Sequence, residues 1–194
     1  QANVPIIDNT VLQRALQYAA TFGFRVWLQP IAPFLGRGGN AHDGEVATRM
    51  GLAGIPVATE TIALYTYLEL AKITDARLHI TRLSSAAGLA LIEQARADGM
   101  DVSCDVSINH VHLSDMDIGY FNPNCHLIPP LRSQRDREAL SQGLAEGRIN
   151  ALCSDHTPVD DDGKQVPFSE AEPGATGLEL LLPLTLKWAE RAGV

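Results

Sequence analysis

The sequence has 194 residues, enough for one domain with a real core. Hydrophobic residues make up 45% and charged residues 20%, an ordinary balance for a globular protein. The formal net charge of −8 excludes the basic stripe that a nucleic-acid surface needs, and no apolar run approaches a membrane span.

The chain opens Gln1-Ala2-Asn3-Val4-Pro5, without Met and without the charged and apolar regions of a signal peptide, so it reads as a fragment. Asn9-Thr10 is placed to cap a helix with Val11, Leu12, Ala15, Leu16, Ala19 and Ala20 on one face and Gly23 at its end. Phe24 to Ile31 has the length and apolarity of a strand. Gly36 to Gly39 reads as a mobile surface loop, and without a Lys or a strand-loop-helix setting it is no phosphate cradle. Thr59 to Ile73 predicts an amphipathic helix with Ile62, Tyr65, Leu68 and Ala71 in register. Arg77 to Leu83 is strand, Ser84-Ser85 caps a helix over Ala86 to Asp98, and Gly99 ends it. Asp101 to Ser107 is strand. A loop carrying Asn122-Pro123 and Pro129-Pro130 leads to a helix over Arg135 to Glu146, closed by Gly147. Ile149 to Ser154 is the last strand and Leu178 to Ala192 the last helix. Cys104, Cys125 and Cys153 are odd in number and lie at or near strands, which predicts buried free thiols in a reducing compartment.

Strand and helix alternating without hairpin signals define parallel α/β architecture. Four such strands alone would leave two open edges. The pattern fits a small doubly wound domain or half of an eight-stranded barrel. Subunit pairing across the edges, a homo-oligomer, is expected if no further strands cover them.

In a β/α barrel, chemistry sits at the C-terminal strand ends. These are Leu28-Gln29-Pro30, Thr81-Arg82-Leu83-Ser84-Ser85, Ser107-Ile108-Asn109-His110 and Ser154-Asp155-His156-Thr157-Pro158. Asp155-His156 after an apolar strand suits a metal ligand or general base, and equally a capping Asp beside a packed His.

Segments in a fixed order, from Gly44-Glu45-Val46-Ala47-Thr48-Arg49, Gly54-Ile55-Pro56 and Glu60 to Leu78-His79-Ile80-Thr81-Arg82-Leu83-Ser84, Val102–Asp105, His126-Leu127-Ile128-Pro129-Pro130-Leu131-Arg132, Arg135–Leu140, Ser154–Pro158 and Gly177-Leu178-Glu179, resemble the bacterial dihydroorotases from end to end. The resemblance implies that residues 1–194 form one partial domain. That domain is the C-terminal half of a (β/α)8 TIM-type barrel of the metal-dependent amidohydrolase kind, about strands five to eight. It also implies a zinc-assisted hydrolysis of the cyclic amide of dihydroorotate to carbamoyl-aspartate, in cytoplasmic pyrimidine biosynthesis. The family's zinc ligands are a His-x-His after the first strand, a carboxylated Lys or Asp after the fourth, a His after each of the fifth and sixth, and an Asp after the eighth.

Three of those positions fall in this chain. The fifth-strand His aligns with Gln29, the sixth-strand His with Arg82, and the eighth-strand Asp is kept as Asp155. The family's substrate-contacting Asn aligns with Ile128 and its second His after the eighth strand with Val159, while His156 is retained. Zinc takes imidazole nitrogen, thiolate or carboxylate. A Gln amide oxygen is a poor substitute, and a guanidinium has no lone pair to give. At ~4 Å and an effective dielectric near ~20, two unit charges repel by about 4 kcal/mol, and a dication doubles that.

No cofactor is therefore expected. Arg82 is expected to bridge to Asp155 in the metal's place, leaving Asp155 a vestigial base and His156 a vestigial substrate contact. The resemblance then points to an inactive chain acting as the structural partner of the aspartate carbamoyltransferase catalytic chain. The alternatives are an active zinc dihydroorotase with a reduced site using upstream ligands, and a pocket that senses dihydroorotate or a nucleotide. His79 is expected to be a packed or hydrogen-bonded histidine on the strand face opposite Arg82. His110 and His112 are residues of family type, and His42 and His126 are expected at the surface or in loops.

Overall fold

A computed structural model describes residues 8–194, so the reading of Gln1–Pro5 lies outside the described residues. Asp8, rather than Asn9 or Thr10, caps the first helix: its carboxylate accepts the Thr10 N–H at 2.7 Å. That helix, α1 (Asn9–Thr21), buries Leu12, Leu16 and Ala19 as its spacing predicts. Gly23 then takes a left-handed φ of 67° that turns the chain into β1 (Arg25–Leu28).

Of the 29 residues after β1, Gln29, Pro30 and Ile31 belong to the predicted strand but lie beyond its ladder, and the rest are legible only as loop and motif. They form a two-residue parallel pair, β2 (Ala41–His42) with β3 (Gly54–Ile55), around the short helix α2 (Glu45–Met50). The glycine loop packs against this unit. A β-carbon on Gly39 would fall 2.5 Å from the Ile55 side chain and 2.8 Å from the Gly54 carbonyl oxygen, so glycine there serves close approach.

Helix α3 (Ala58–Thr74) lies where the sequence predicts, but its buried face is rotated from the expected one. Ala63, Leu64, Tyr67, Leu68 and Ala71 point inward, while Ile62 and Tyr65 are more than half exposed. The inward set repeats at i, i+4 and i+7 with Thr59 and Glu60, so a buried acid marks the stripe that a purely hydrophobic reading passed over.

β4 (Arg77–Ile80), α4 (Ala86–Ala97), β5 (Val102–Ser107), α5 (Ile108–His112), α6 (Gln134–Ala145), β6 (Ala151–Cys153), the short α7 (Asp161–Lys164) and α8 (Leu181–Ala192) complete the chain. The Ser85 hydroxyl accepts the Gly88 N–H at 3.0 Å, as a cap should. Helix α8 begins three residues later than expected, with Pro183 in its first turn, where a missing N–H costs nothing.

The four-stranded sheet is wholly parallel, in the order β1-β4-β5-β6. Leu28, Leu78, Ile80, Cys104 and Val106 form one core with residues of α1, α3, α4, α6 and α8, among them Leu16, Leu64, Ile92, Leu140 and Trp188. A second apolar cluster, including Ala47, Ile118, Cys125, Leu131 and Phe168, ties together the loops beyond the C-terminal strand ends. A parallel sheet in chain order with helices returning on one face is the arrangement of consecutive barrel units.

Two histidines expected at the surface or in loops are interior: His126 does lie in a loop, whereas His42 does not. His42 sits in β2 and His126 between the loops, and both are buried rather than at the surface. His126 Nδ1 donates to the Ala171 carbonyl at 2.7 Å and its ring lies 5.2 Å from Phe168. Cys104 and Cys125 are buried free thiols as expected, and Cys153 is half-buried.

Candidate functional site

The ladders stop sooner than the sequence predicts because the chain turns sharply at two strand ends. Beyond β4, Arg82 has φ 54°, and beyond β6, Asp155 has φ 48°. Left-handed backbone is unusual for a residue that is not glycine and costs roughly 1–2 kcal/mol. Such outliers cluster where a side chain must be aimed.

The two turns bring Arg82, Asp155 and Gln29 together. Arg82 Nη1 donates to Asp155 Oδ1 at 3.1 Å and approaches the Ile128 carbonyl at 3.4 Å, while Nη2 donates to Gln29 Oε1. Only 16% of the Arg82 side chain and 7% of the Asp155 side chain are exposed. The guanidinium is thus shared between a carboxylate from one strand end and an amide oxygen from another, a charge-assisted geometry. Gln29 Nε2 is buried with no hydrogen-bond partner among the described residues.

Gln29 and Arg82, but not Asp155, line a cavity of about 200 Å³ together with Pro30, the Gly36–Gly39 loop and Ile128-Pro129-Pro130. His156 stands apart from the trio. Its Nδ1 accepts the Gly177 and Leu178 backbone N–H groups, each at 3.2 Å, which fixes the tautomer with the hydrogen on Nε2. Gly177 is required there, since a β-carbon would overlap the Ser154 carbonyl oxygen.

Behind the mouth lies a charged cluster that sequence reasoning did not assign. Glu60 is 2% exposed and accepts the Ser84 N–H at 2.7 Å, the Ser84 hydroxyl at 2.6 Å and the Ser85 hydroxyl. Arg132, from the Pro-Pro-Leu-Arg segment, donates to Ser84 Oγ at 3.1 Å and to the Ile55 carbonyl at 2.7 Å. Burial pushes the Glu60 carboxyl above its usual range, with Arg132 and the serine bonds opposing. The cluster ties α3, the end of β4, β3 and the cis-proline loop into one frame. The signal for it was available: an acid in the apolar register of α3.

His79 is buried and hydrogen-bonded as expected, while Arg82 lies beyond the end of β4. His79 lies on the sheet face away from the helix core, and the turn at Arg82 brings its backbone N–H to the same carboxylate, Asp105, that His79 bonds. His110 is buried in α5 with Nε2 3.1 Å from the Pro130 carbonyl, and burial depresses its pKa. His112 Nε2 donates to the Leu184 carbonyl at 2.9 Å, and its Nδ1 accepts from Arg191 at 2.7 Å, so it ties α5 to α8.

Gln29, Arg82 and Asp155 do not fit a zinc ion. Only Asp155 offers a good ligand atom, and its carboxylate is already engaged by a cation. Among the described residues there is no group of three or more His, Cys, Asp or Glu side chains able to hold a metal.

No protein-family profile matches the chain. It is 43% identical over 179 residues to a dihydroorotase-like protein of Pseudomonas aeruginosa, covering 92% of this chain and 42% of that protein. It is 36% identical to a dihydroorotase of Carboxydothermus hydrogenoformans over 92% of this chain and 42% of that one. The chain therefore spans less than half the length of these curated relatives. Among solved structures, the L-hydantoinase (dihydropyrimidinase) of Arthrobacter aurescens superimposes with a TM-score of 0.83 at 27% identity, over 95% of this chain and 43% of that one. A Saccharomyces cerevisiae dihydroorotase solved with 5-fluoroorotic acid shares the fold, with a TM-score of 0.76 at 16% identity, over 96% of this chain and 50% of that one.

The parallel sheet, its helix layer and the strand-end site define consecutive units of an amidohydrolase-type (β/α) barrel. Within that class the chain is similar, over more than nine-tenths of its own length, to dihydroorotases and a dihydroorotase-like protein.

Proposed function

We propose that this chain is part of a dihydroorotase homologue that has lost its chemistry and serves as the structural, non-catalytic partner of the aspartate carbamoyltransferase catalytic chain in the cytoplasm. The observation that carries the reading is the Arg82 guanidinium held between Asp155 and Gln29. In the dihydroorotase resemblance these are the sixth-, eighth- and fifth-strand ligand positions. A fixed cation there opposes a dication, and without metal no group lowers the pKa of an attacking water. Asp155 is left as a base with no activated nucleophile to serve.

The partner reading is supported by what is kept. The Glu60–Ser84–Arg132 frame, the Pro129-Pro130 turn and Gly177 all maintain shape, while the positions of chemistry at Gln29, Arg82, Ile128 and Val159 have changed. Selection for a surface rather than a reaction leaves that division.

A reduced zinc site built on upstream ligands and Asp155 is the second reading, favoured only by the retention of Asp155 and His156. A sensing pocket for dihydroorotate or a nucleotide is weakened by Ile128 and Val159 at the substrate-facing positions.

The test uses the full-length protein, its metal content, its turnover of dihydroorotate, and size-exclusion chromatography with the aspartate carbamoyltransferase catalytic chain. No stoichiometric zinc, no turnover and co-elution are expected. Stoichiometric zinc with turnover establishes the second reading instead, and failure to co-elute removes the partner.

A further inference from the structure

Arg82 is held in place by more than its own side chain. Its left-handed φ of 54° is what carries the guanidinium toward β6 and Asp155. At this turn three successive N–H groups find acceptors. Thr81 donates to the Leu28 carbonyl at 2.9 Å and Leu83 to the Asp105 carbonyl at 3.0 Å, both backbone bonds. Between them the Arg82 N–H donates to the side chain of Asp105, Oδ1, at 2.7 Å.

The other oxygen of Asp105 is also engaged. His79 Nε2 lies 2.9 Å from Oδ2, and His79 Nδ1 lies 2.8 Å from Ser103 Oγ, which in turn receives Arg25 Nη1 at 3.3 Å. A carboxylate only accepts, so His79 Nε2 carries a hydrogen and donates to Asp105, while the Ser103 hydroxyl, which also reaches the Leu78 carbonyl at 3.3 Å, bonds the other ring nitrogen. Ser103 and His79 thus link Arg25 to Asp105, with the Arg82 N–H meeting Asp105 from the other side. Asp105 and His79 are 6% and 7% exposed, so the chain is shielded from competing water.

We propose that Asp105, buttressed by His79 and Ser103, is the positioning residue that aims Arg82 into the mouth of the site. Asp105 touches neither Asp155 nor Gln29 through the bonds described. It acts through the Arg82 backbone, fixing the one turn from which the guanidinium reaches both. The inference rests on the reading that Arg82 stands in the metal's place, and deepens it by naming the residue that keeps it there.

The test is nuclear magnetic resonance of the full-length protein with 15N-labelled arginine, the Arg82 signals being assigned by their loss in Arg82→Met. In the wild type the Arg82 Nη hydrogens, bonded on two sides, give resolved signals from slowed guanidinium rotation. Asp105→Ala is expected to abolish those resolved signals in a protein whose circular dichroism is unchanged. Asp105→Asn is expected to keep them, because its amide oxygen still accepts the Arg82 N–H while its amide N–H serves His79 in the other tautomer. A residue with a merely structural role would not separate these two variants by the Arg82 signal. If Asp105→Ala does not fold, His79→Phe, which removes only the donor behind Asp105, is expected to broaden the same signals. Resolved Arg82 Nη signals persisting in folded Asp105→Ala or in His79→Phe overturn the proposal. The underlying reading fails separately: if Arg82→Met leaves zinc affinity unchanged, Arg82 does not exclude the metal, whatever Asp105 does to its position.

Discussion

The Arg82–Asp155 pair should behave energetically as a buried unit. At 3.1 Å and an effective dielectric near ~20 the gross attraction is about 5 kcal/mol, much of it offset by removing both groups from water. Arg82→Met alone leaves the Asp155 carboxylate, 7% exposed, without its cation, and is expected to destabilise by about 3 kcal/mol. Asp155→Leu alone leaves the guanidinium with only Gln29 and the Ile128 carbonyl, and is expected to cost a similar amount. The double variant removes both charges and should fall within about 1 kcal/mol of wild type, a coupling of about 5 kcal/mol. Urea denaturation of the four proteins, full-length and followed by two probes to check for a single transition, measures that coupling. A coupling below about 0.5 kcal/mol is what an exposed surface pair gives, and would refute the picture of a shielded clamp.

Two further outcomes follow from the site and its frame. Burial depresses the pKa values of His42, His110 and His126 below 6.5, so the folded protein binds fewer protons than the unfolded chain between those folded values and 6.5. Stability should therefore fall as pH drops below 6.5 and level off below the folded values. His126→Asn, which keeps a donor for the Ala171 carbonyl, should lessen that fall when denaturation is compared at about pH 7.5 and about pH 5.5. Gly177→Ala, forced against the Ser154 carbonyl, should cost about 1–3 kcal/mol in thermal or urea denaturation and withdraw the two N–H groups from His156.

The alternation of strand and helix was legible because apolar runs and caps recur in order: Ser85 caps α4, and Gly23 turns α1 into β1, where the sequence places them. The resemblance located Gln29, Arg82 and Asp155 at strand ends, and the structure brings those three together. What escaped was set by contacts distant in sequence. The rotated face of α3 follows from Glu60, whose burial makes sense only once Ser84, Ser85 and Arg132 surround it. His42 and His126 lie in loop segments by local pattern, and only the second apolar cluster around them makes their sites interior. Strand alternation ends at Ile80, so strand-face reasoning does not extend to Arg82, where a positive φ brings the backbone N–H to Asp105. No local propensity marks a left-handed arginine.

The sharpest test is calorimetric zinc titration of the full-length wild-type protein beside Gln29→His/Arg82→His, which restores imidazoles to the two altered ligand positions. Halving the dication repulsion of about 8 kcal/mol for solvent screening leaves ~4 kcal/mol, or roughly a thousandfold in affinity. Weak or undetectable zinc binding by the wild type, rising by at least that factor in the double variant, is the predicted result. Tight stoichiometric zinc on the wild type, released when Asp155 is replaced by Leu, would contradict it.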